Sequence, residues 1–229
     1  MKKIILALLA ASFVVANASA LTISGGLTYG HSAATKLNDN LTLTETTEAE
    51  EKFGFNAGLT FPILGPLGLF IDAQALWPLA TSVSKGEDGN SYSFTPSKQF
   101  NINALVGPYL KIQPSDTMFF RLGAGLDLYF NTKEYEVEKD TTDAENVIKV
   151  ATSEKTFNFG PGVKLDASFM LIPILGINIG CDVGFLWGQS TLDYSWDSGY
   201  KLENEMPESK KNFTLLVTPS INAIIKLGN

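Results

Sequence analysis

The 229-residue chain has a single cysteine, Cys181, and a single histidine, His31. One cysteine cannot form an internal disulfide, which excludes the covalent links on which small secreted domains usually rely. Basic residues are also few, with 17 Lys and Arg against 24 Asp and Glu. An acidic chain of this kind is a poor partner for nucleic acid. The sequence lacks a Walker loop, a zinc pattern, a calcium loop and a dinucleotide fingerprint, so we expect no cofactor and no metal site.

Long apolar runs are absent after residue 20, which argues against a transmembrane helix in the rest of the chain. The one such run, residues 4–15, follows Lys2 and Lys3 and precedes Ala18-Ser19-Ala20. It is short for a membrane anchor, and the three features together are typical of a secretory signal peptide. We therefore expect residues 1–20 to be cleaved and residues 21–229 to form one exported domain.

Residues 118–130 carry the clearest structural signal in the chain. Every even position in this segment is apolar, whereas the odd positions include Arg121, Gly123, Gly125 and Asp127. Alternation with a period of two places the two sets on opposite faces of a β-strand. The segment is longer than the usual soluble strand of about five or six residues, and it matches the roughly nine to eleven that a tilted strand needs to cross a bilayer.

Seven further segments show the same alternation. They are residues 21–31, 53–61, 67–77, 100–112, 157–169, 177–187 and 213–227. Prolines inside three of the eight predicted strands, Pro108, Pro161 and Pro219, remove a hydrogen-bond donor, so each predicts a bulge or a local irregularity.

The connections alternate strictly between short turns and long polar loops. The three turns cover residues 62–66, 113–117 and 172–176, and the four loops cover residues 33–52, 78–98, 131–155 and 188–211. All short turns therefore lie at one end, together with both termini. This is the pattern of an outer-membrane barrel with periplasmic turns and extracellular loops. The sequence thus predicts an all-β fold: an eight-stranded antiparallel up-and-down transmembrane β-barrel.

An internal repeat relates the two halves of the chain. Pro62-Ile-Leu-Gly65 recurs as Pro173-Ile-Leu-Gly176, and DAQALW at residues 72–77 matches DVGFLW at residues 182–187. Two four-stranded halves that close on each other would give a coherent barrel. The alternative is that similar strand and turn compositions imitate a duplication.

Alternation alone does not say which face lies inside, because a soluble lipocalin-like barrel would bury its apolar face. The distribution of charge indicates which face meets lipid. The four loops carry a net charge of −8, and the strands hold four cations and four anions on a face rich in Gly, Asn, Ser and Thr. Glycine suits the crowded interior of an eight-stranded barrel, where opposite charges can pair. We expect a lumen charge network of Asp72, Lys111, Arg121, Asp127, Lys164, Asp166, Asp182 and Lys226. It would form a plug of salt bridges or, alternatively, a narrow ion path.

Aromatic residues gather near the predicted strand ends. They include Phe53, Trp77, Phe130, Phe157, Trp187 and Phe213. Such positions are typical of the aromatic girdle at a membrane interface.

With these features the mature chain resembles the small eight-stranded outer-membrane proteins typified by the OmpA transmembrane domain, OmpX and OmpW. The resemblance implies a place in the bacterial outer membrane, contact with outer-membrane lipid and insertion by the outer-membrane assembly machinery. Members of that class often end in phenylalanine, whereas this chain ends Lys226-Leu-Gly-Asn229.

We expect a barrel whose four loops serve surface contact or adhesion to host or extracellular ligands, or an envelope-structural role. The alternative is a narrow pore or carrier for ions or small apolar solutes. A third reading, an outer-rim lipid-modifying enzyme, would rest on His31 and Ser32. Adjacent residues of a strand point to opposite faces, so we predict no catalytic residues and no enzyme.

Overall fold

The computed structural model describes residues 21–37, 43–79, 93–138, 149–196 and 208–227. The predicted signal peptide, residues 1–20, and the predicted tips of the four loops lie outside these ranges. Within them, no helix has the length and apolar character that crossing a membrane requires.

Eight strands make up the described part of the chain. They are β1 (Leu21–Leu37), β2 (Leu43–Leu64), β3 (Leu67–Pro78), β4 (Ser93–Ser115), β5 (Met118–Glu138), β6 (Lys149–Ile172), β7 (Leu175–Trp196) and β8 (Glu208–Leu227). Each pairs antiparallel with its neighbours in sequence, and β1 pairs with β8 to close the ring. This confirms the predicted eight-stranded up-and-down barrel.

The strands extend further on the loop side than the sequence predicted. Residues 33–52 were expected to form a loop, yet Ser32 pairs with Glu50 in the β1–β2 ladder. Lys133 also pairs with Glu154 between β5 and β6, inside the predicted loop 131–155. There the alternation of residues 133–137 and 147–151 predicts that the hairpin extends beyond the membrane, and the pairing agrees with it. The predicted loop boundaries are therefore wrong. Once a hairpin leaves the membrane both of its faces can be polar, so the apolar alternation that marks a strand fades although the pairing continues.

The two faces of the barrel differ as predicted. In β5, Arg121, Asp127 and Tyr129 point inward and are buried, whereas the leucines between them, Leu122 and Leu126, are about half exposed on the outer surface. Outward apolar side chains occur in all eight strands. An apolar band around a closed ring, with a polar interior, is the arrangement of a membrane-spanning barrel.

The three strand prolines interrupt pairing without shifting its register. The β4–β5 ladder skips Pro108, the β6–β7 ladder skips Pro161, and the β1–β8 ladder skips Pro219. In each ladder the register is the same on both sides of the gap. The predicted irregularities are therefore present, but as gaps and not as bulges. At one gap the Thr28 hydroxyl donates a hydrogen bond of 3.1 Å to the Pro219 carbonyl.

The repeated segments occupy β3 and β7, which are four strands apart in the ring. Each contributes a buried aspartate, a fully buried leucine and an outward tryptophan: Asp72, Leu76 and Trp77 in one, and Asp182, Leu186 and Trp187 in the other. The turns differ, because Pro62 belongs to β2 and pairs with Gly68 of β3, whereas Pro173 lies in the turn between β6 and β7. Duplication of a four-stranded half stays a prediction.

Gly123 occupies a crowded inward position. A methyl group there would lie 2.5 Å from Cε1 of the fully buried Phe70. Gly123→Ala should therefore lower the free energy of unfolding by about 1–3 kcal/mol, the usual effect of overpacking. Ala124→Leu, which adds more carbon on the outer surface, should change it little. Urea unfolding in lipid vesicles, followed by tryptophan fluorescence, measures both.

A matched double variant tests the cause of this effect. Phe70→Leu shortens the side chain that Gly123→Ala would strike, so the pair should be less destabilised than the sum of the two single variants. Strict additivity, or a larger loss for Ala124→Leu than for Gly123→Ala, would contradict the assigned packing.

Candidate functional site

One group of charged side chains lies deep in the lumen. Lys164 Nζ is 3.2 Å from Asp72 Oδ2, 3.3 Å from Asp182 Oδ1 and 3.9 Å from Asp166 Oδ2. Arg121 Nε donates to Asp166 Oδ1 at 2.9 Å. All five residues are buried. We name them the Lys164 cluster; its two cations and three anions leave a formal charge of −1.

Neutral side chains tie the Lys164 cluster to strands that carry no charge in it. Arg121 Nη1 donates to Thr60 Oγ1 of β2 at 2.8 Å. Gln74 Nε2 donates to Asp182 Oδ2 at 2.9 Å and to Thr218 Oγ1 of β8 at 3.1 Å. The network therefore crosses the whole lumen. The low dielectric constant of a protein interior strengthens such a network when it is complete. Loss of one member then lowers the free energy of unfolding, because a buried charge is left without its partner.

A second group surrounds Lys52, which is fully buried. Lys52 Nζ donates to Ser32 Oγ and to Tyr129 Oη, both at 2.8 Å, and lies 3.1 Å from Glu50 Oε2. Tyr129 in turn donates to Asn101 Oδ1 at 2.6 Å. An ammonium group has three protons to donate, and here each has an acceptor. We name these five residues the Lys52 cluster.

Glu50 lies beyond the outward aromatic ring of Phe53, outside the membrane-spanning band. It forms ion pairs with Lys52 and with Lys133, and it accepts a hydrogen bond of 3.1 Å from Gln99 Nε2. Burial raises the pKa of the Glu50 carboxyl, but the charges of Lys133 and Lys52 outweigh burial and lower it. Glu50 therefore stays ionised and closes the Lys52 cluster on its outer side.

The structure places the eight predicted lumen charges in three settings. Five form the Lys164 cluster, and Asp127 is buried apart from it. The prediction that Lys111 and Lys226 join the network needs correction. Both are only half-buried near the short-turn end, and within the described residues neither forms an ion pair with these acids. Lys111 Nζ lies 4.7 Å from the Phe119 ring centroid instead. Near the mouth of a barrel, water can solvate a lysine without a carboxylate.

The sequence reasoning missed the Lys52 cluster, because it assigned Lys52 and Glu50 to a loop. A usable signal was present. Lys52 lies two residues before Gly54 and is therefore in phase with the inward positions of β2.

The six predicted interface aromatics all lie on the outer surface. They are Phe53, Trp77, Phe130, Phe157, Trp187 and Phe213. Neighbouring strands bring some of these rings together: the centroids of Trp77 and Phe100 are 5.4 Å apart, and those of Trp187 and Phe213 are 5.1 Å apart. Their place at the membrane interface stays a prediction.

His31 and Ser32 do not form a catalytic pair. Strand β1 continues to Leu37, so the two side chains point to opposite faces, with Ser32 buried in the lumen. Lys52 Nζ donates to Ser32 Oγ and to Tyr129 Oη and forms an ion pair with Glu50, so its contacts are those of a structural cluster. In the part of the chain that the structure describes, no three His, Cys, Asp or Glu side chains are arranged to hold a metal ion.

No protein-family model matches the sequence, and no curated protein matches it. Solved structures do. OprG from Pseudomonas aeruginosa is 9% identical, with 93% of this chain and 97% of that chain covered, at a TM-score of 0.56. Ail of Yersinia pestis is 12% identical, with 91% and 99% covered, at 0.45. A major outer membrane protein from Thermus thermophilus is 15% identical, with 89% and 99% covered, at 0.46.

At such low identity the likeness to OprG concerns the fold alone. It agrees with the closed ring of eight strands, the outward apolar band and the polar interior described above. The chain therefore has the fold of the small eight-stranded β-barrels of the bacterial outer membrane.

Proposed function

We propose that this outer-membrane barrel is a closed anchor that presents four hairpins for contact with molecules outside the cell. The observation that carries the proposal is the asymmetry of the two ends. At one end, strands continue past the aromatic ring: β5 runs from Phe130 on to Glu138, and β6 begins at Lys149, ahead of Phe157. At the other end, two-residue turns join the strands. Structure that extends beyond the membrane on one side serves a function on that side.

The filled interior supports an anchor over a pore. An eight-stranded barrel is just wide enough for side chains, and here apolar groups occupy the lumen beside the two clusters. The fully buried ones are Phe70, Leu76, Leu105, Leu186, Leu216 and Ile224. A narrow pore or carrier would have to separate buried ion pairs on opening, which is costly because the separated charges lose their partners. We therefore propose a barrel that neither conducts nor catalyses.

The charge of the hairpins indicates the kind of partner. The four loop segments, as the sequence defines them, carry a net charge of −8. Complementary charge speeds association and disfavours partners of like sign. Basic surfaces of extracellular or host proteins are therefore the proposed ligands, and nucleic acid is not.

One hairpin can be shortened to test this role. Replacing residues 139–148, which connect β5 and β6, with Asn-Gly gives a tight turn that suits an antiparallel pair. Cells that display the intact protein should adhere to immobilised basic matrix proteins, and the shortened variant should adhere less while its barrel remains folded. Heat-modifiable gel mobility reports the fold.

Planar-bilayer recording separates the anchor from the alternative. The intact protein should show no discrete conductance steps. If the protein shows stable conductance steps, and if shortening the hairpin leaves adhesion unchanged, the protein is a narrow pore and the proposed anchor is wrong.

A further inference from the structure

The barrel wall is interrupted on its outer side, between β2 and β4. The strand between them, β3, ends at Pro78, which pairs with Lys52, and its ladder with β4 ends at Asn101. Beyond those positions β2 continues outward over residues 43–50 and β4 over residues 93–100. Among the described residues no strand lies between these two segments. We name the interruption between them the seam.

Every other pair of neighbouring strands stays paired beyond the level of Lys52. The β4–β5 ladder reaches Ser93 and Glu138, and the β8–β1 ladder reaches Asn212 and Lys36. The outer part of the barrel is therefore one continuous sheet that runs from β4 through β5, β6, β7, β8 and β1 to β2, with the seam between its two edges. Backbone groups at a sheet edge have no partner strand, so within the described residues it is side chains that can join the two edges.

Glu50 of β2 joins the two edges of the seam. Its Oε2 accepts a hydrogen bond of 3.1 Å from Gln99 Nε2 of β4, and its Oε1 forms an ion pair with Lys133 Nζ of β5. Gln99 and Lys133 are direct partners in the β4–β5 ladder, so the two donors lie side by side and face one carboxylate. Both oxygens of Glu50 thus have a partner across the seam.

Lys52 holds the same carboxylate from the lumen side. Its Nζ lies 3.1 Å from Glu50 Oε2, and it donates at 2.8 Å to both Ser32 Oγ of β1 and Tyr129 Oη of β5. The side chain of Glu50 is 18% exposed and that of Lys133 is 16% exposed, so water competes little with these charge-assisted bonds. The contacts of Glu50 are therefore stronger than those of an exposed ion pair.

We propose that Glu50 is a clasp that closes the seam and holds the outer hairpins in one fixed arrangement. It links three of the four hairpins: β1–β2 through its own strand, β3–β4 through Gln99 and β5–β6 through Lys133. A surface that is already in its binding arrangement loses less freedom when it binds, and so binds more tightly. The inference rests on the proposed surface contact, in which Glu50 acts as a positioning residue.

The width of the seam can be measured between two spin labels. In a Cys181→Ala background, Thr46→Cys of β2 and Thr95→Cys of β4 place one label on each edge. The matched control pair, Thr132→Cys and Thr191→Cys, spans β5 to β7, where the strand between them is present and pairs with both positions. Pulsed electron spin resonance gives the distribution of distances in each pair.

Lys133→Met combined with Gln99→Ala removes both partners across the seam and leaves the ion pair of Glu50 with Lys52 intact, so the barrel should still fold. In this clasp variant we expect the distance across the seam to become longer and its distribution broader, while the control pair stays unchanged. Lys98→Met is the matched control variant, because Lys98 forms an exposed ion pair within the β4–β5 ladder and not across the seam. It should leave both distances unchanged.

Adhesion of displaying cells to immobilised basic matrix proteins gives the second readout. We expect cells with the clasp variant to adhere less than cells with Lys98→Met, although each variant loses one positive charge. A seam distance that the clasp variant leaves unchanged, an equal widening of the seam and the control pair, or a seam that Lys98→Met also widens overturns the clasp. A wider seam with unchanged adhesion overturns the positioning role. If the intact protein does not adhere, the proposed surface contact is wrong, whereas the two label pairs still decide whether Glu50 closes the seam.

Discussion

Replacing Lys164 by methionine should lower the free energy of unfolding by about 3–5 kcal/mol, the range for breaking a buried ion pair from one side. Lys164 lies within 4 Å of three carboxylates, those of Asp72, Asp166 and Asp182. Methionine matches the length of the stem but removes the charge. Arg121 alone then faces three buried anions, which repel one another where water cannot solvate them.

Urea unfolding in lipid vesicles, followed by tryptophan fluorescence, measures this loss. The matched control is Lys98→Met, because Lys98 forms an exposed ion pair of 3.0 Å with Glu134. Exposed pairs contribute about 0–1 kcal/mol, so the control should unfold almost as the parent protein does. Equal effects for the two lysines would mean that the Lys164 cluster does not hold the barrel together. Adding Asp182→Asn to Lys164→Met should recover part of the loss.

Replacing Ala124 by arginine should cost about 2–4 kcal/mol, as for a cation at the bilayer midplane on the lipid face of a barrel. Ala124 points outward from β5, between the outward Leu122 and Leu126. Leu122 and Leu126 therefore surround Ala124 with side chains that face hydrocarbon. Unfolding in vesicles and the fraction of protein inserted measure the effect.

Thr132→Arg is the matched control for depth. Thr132 lies on the same outward face of β5, two residues beyond the interface aromatic Phe130. Near the interface the cost of arginine falls to about 0–1 kcal/mol, because the side chain can reach the headgroups. If Ala124→Arg inserts and unfolds like Thr132→Arg, the outward face is not the lipid face.

The faces of the strands were predictable because alternation sorts the residues of β5 into two sets, and the distribution of charge then indicates which set meets lipid. Because alternate residues of a strand point to opposite faces, Arg121 and Asp127, which are six residues apart, share a face whatever the neighbouring strands are. Closure was predictable for a different reason, since a sheet that crosses a bilayer cannot leave open edges in hydrocarbon, and β1 and β8 are the two edges that must pair. The outer extension of the β1–β2 hairpin was not predictable, because polar pairs such as Ser32 with Glu50 carry no apolar signature. The extension of the β5–β6 hairpin was, because residues 133–137 alternate.

The pairing of charges inside the lumen could not be predicted, because parity says nothing about height along the barrel axis. Lys111 and Lys164 both occupy inward-phase positions, yet only the register brings Lys164 beside Asp182 and leaves Lys111 near the mouth. The isolation of Asp127 has the same origin. Its cross-strand partners are Leu105 and Gly160, neither of which can pair with a carboxylate side chain.

The pairing of Leu21 with Leu227 has a consequence for how the barrel is made. The first strand finds its second partner only when the last strand has arrived, so nearly the entire polypeptide must be exported before the edges of β1 and β8 disappear. Contacts this distant along the chain form slowly, and open edges pair readily with other chains. A newly exported copy therefore depends on being held apart from its neighbours until its two ends meet.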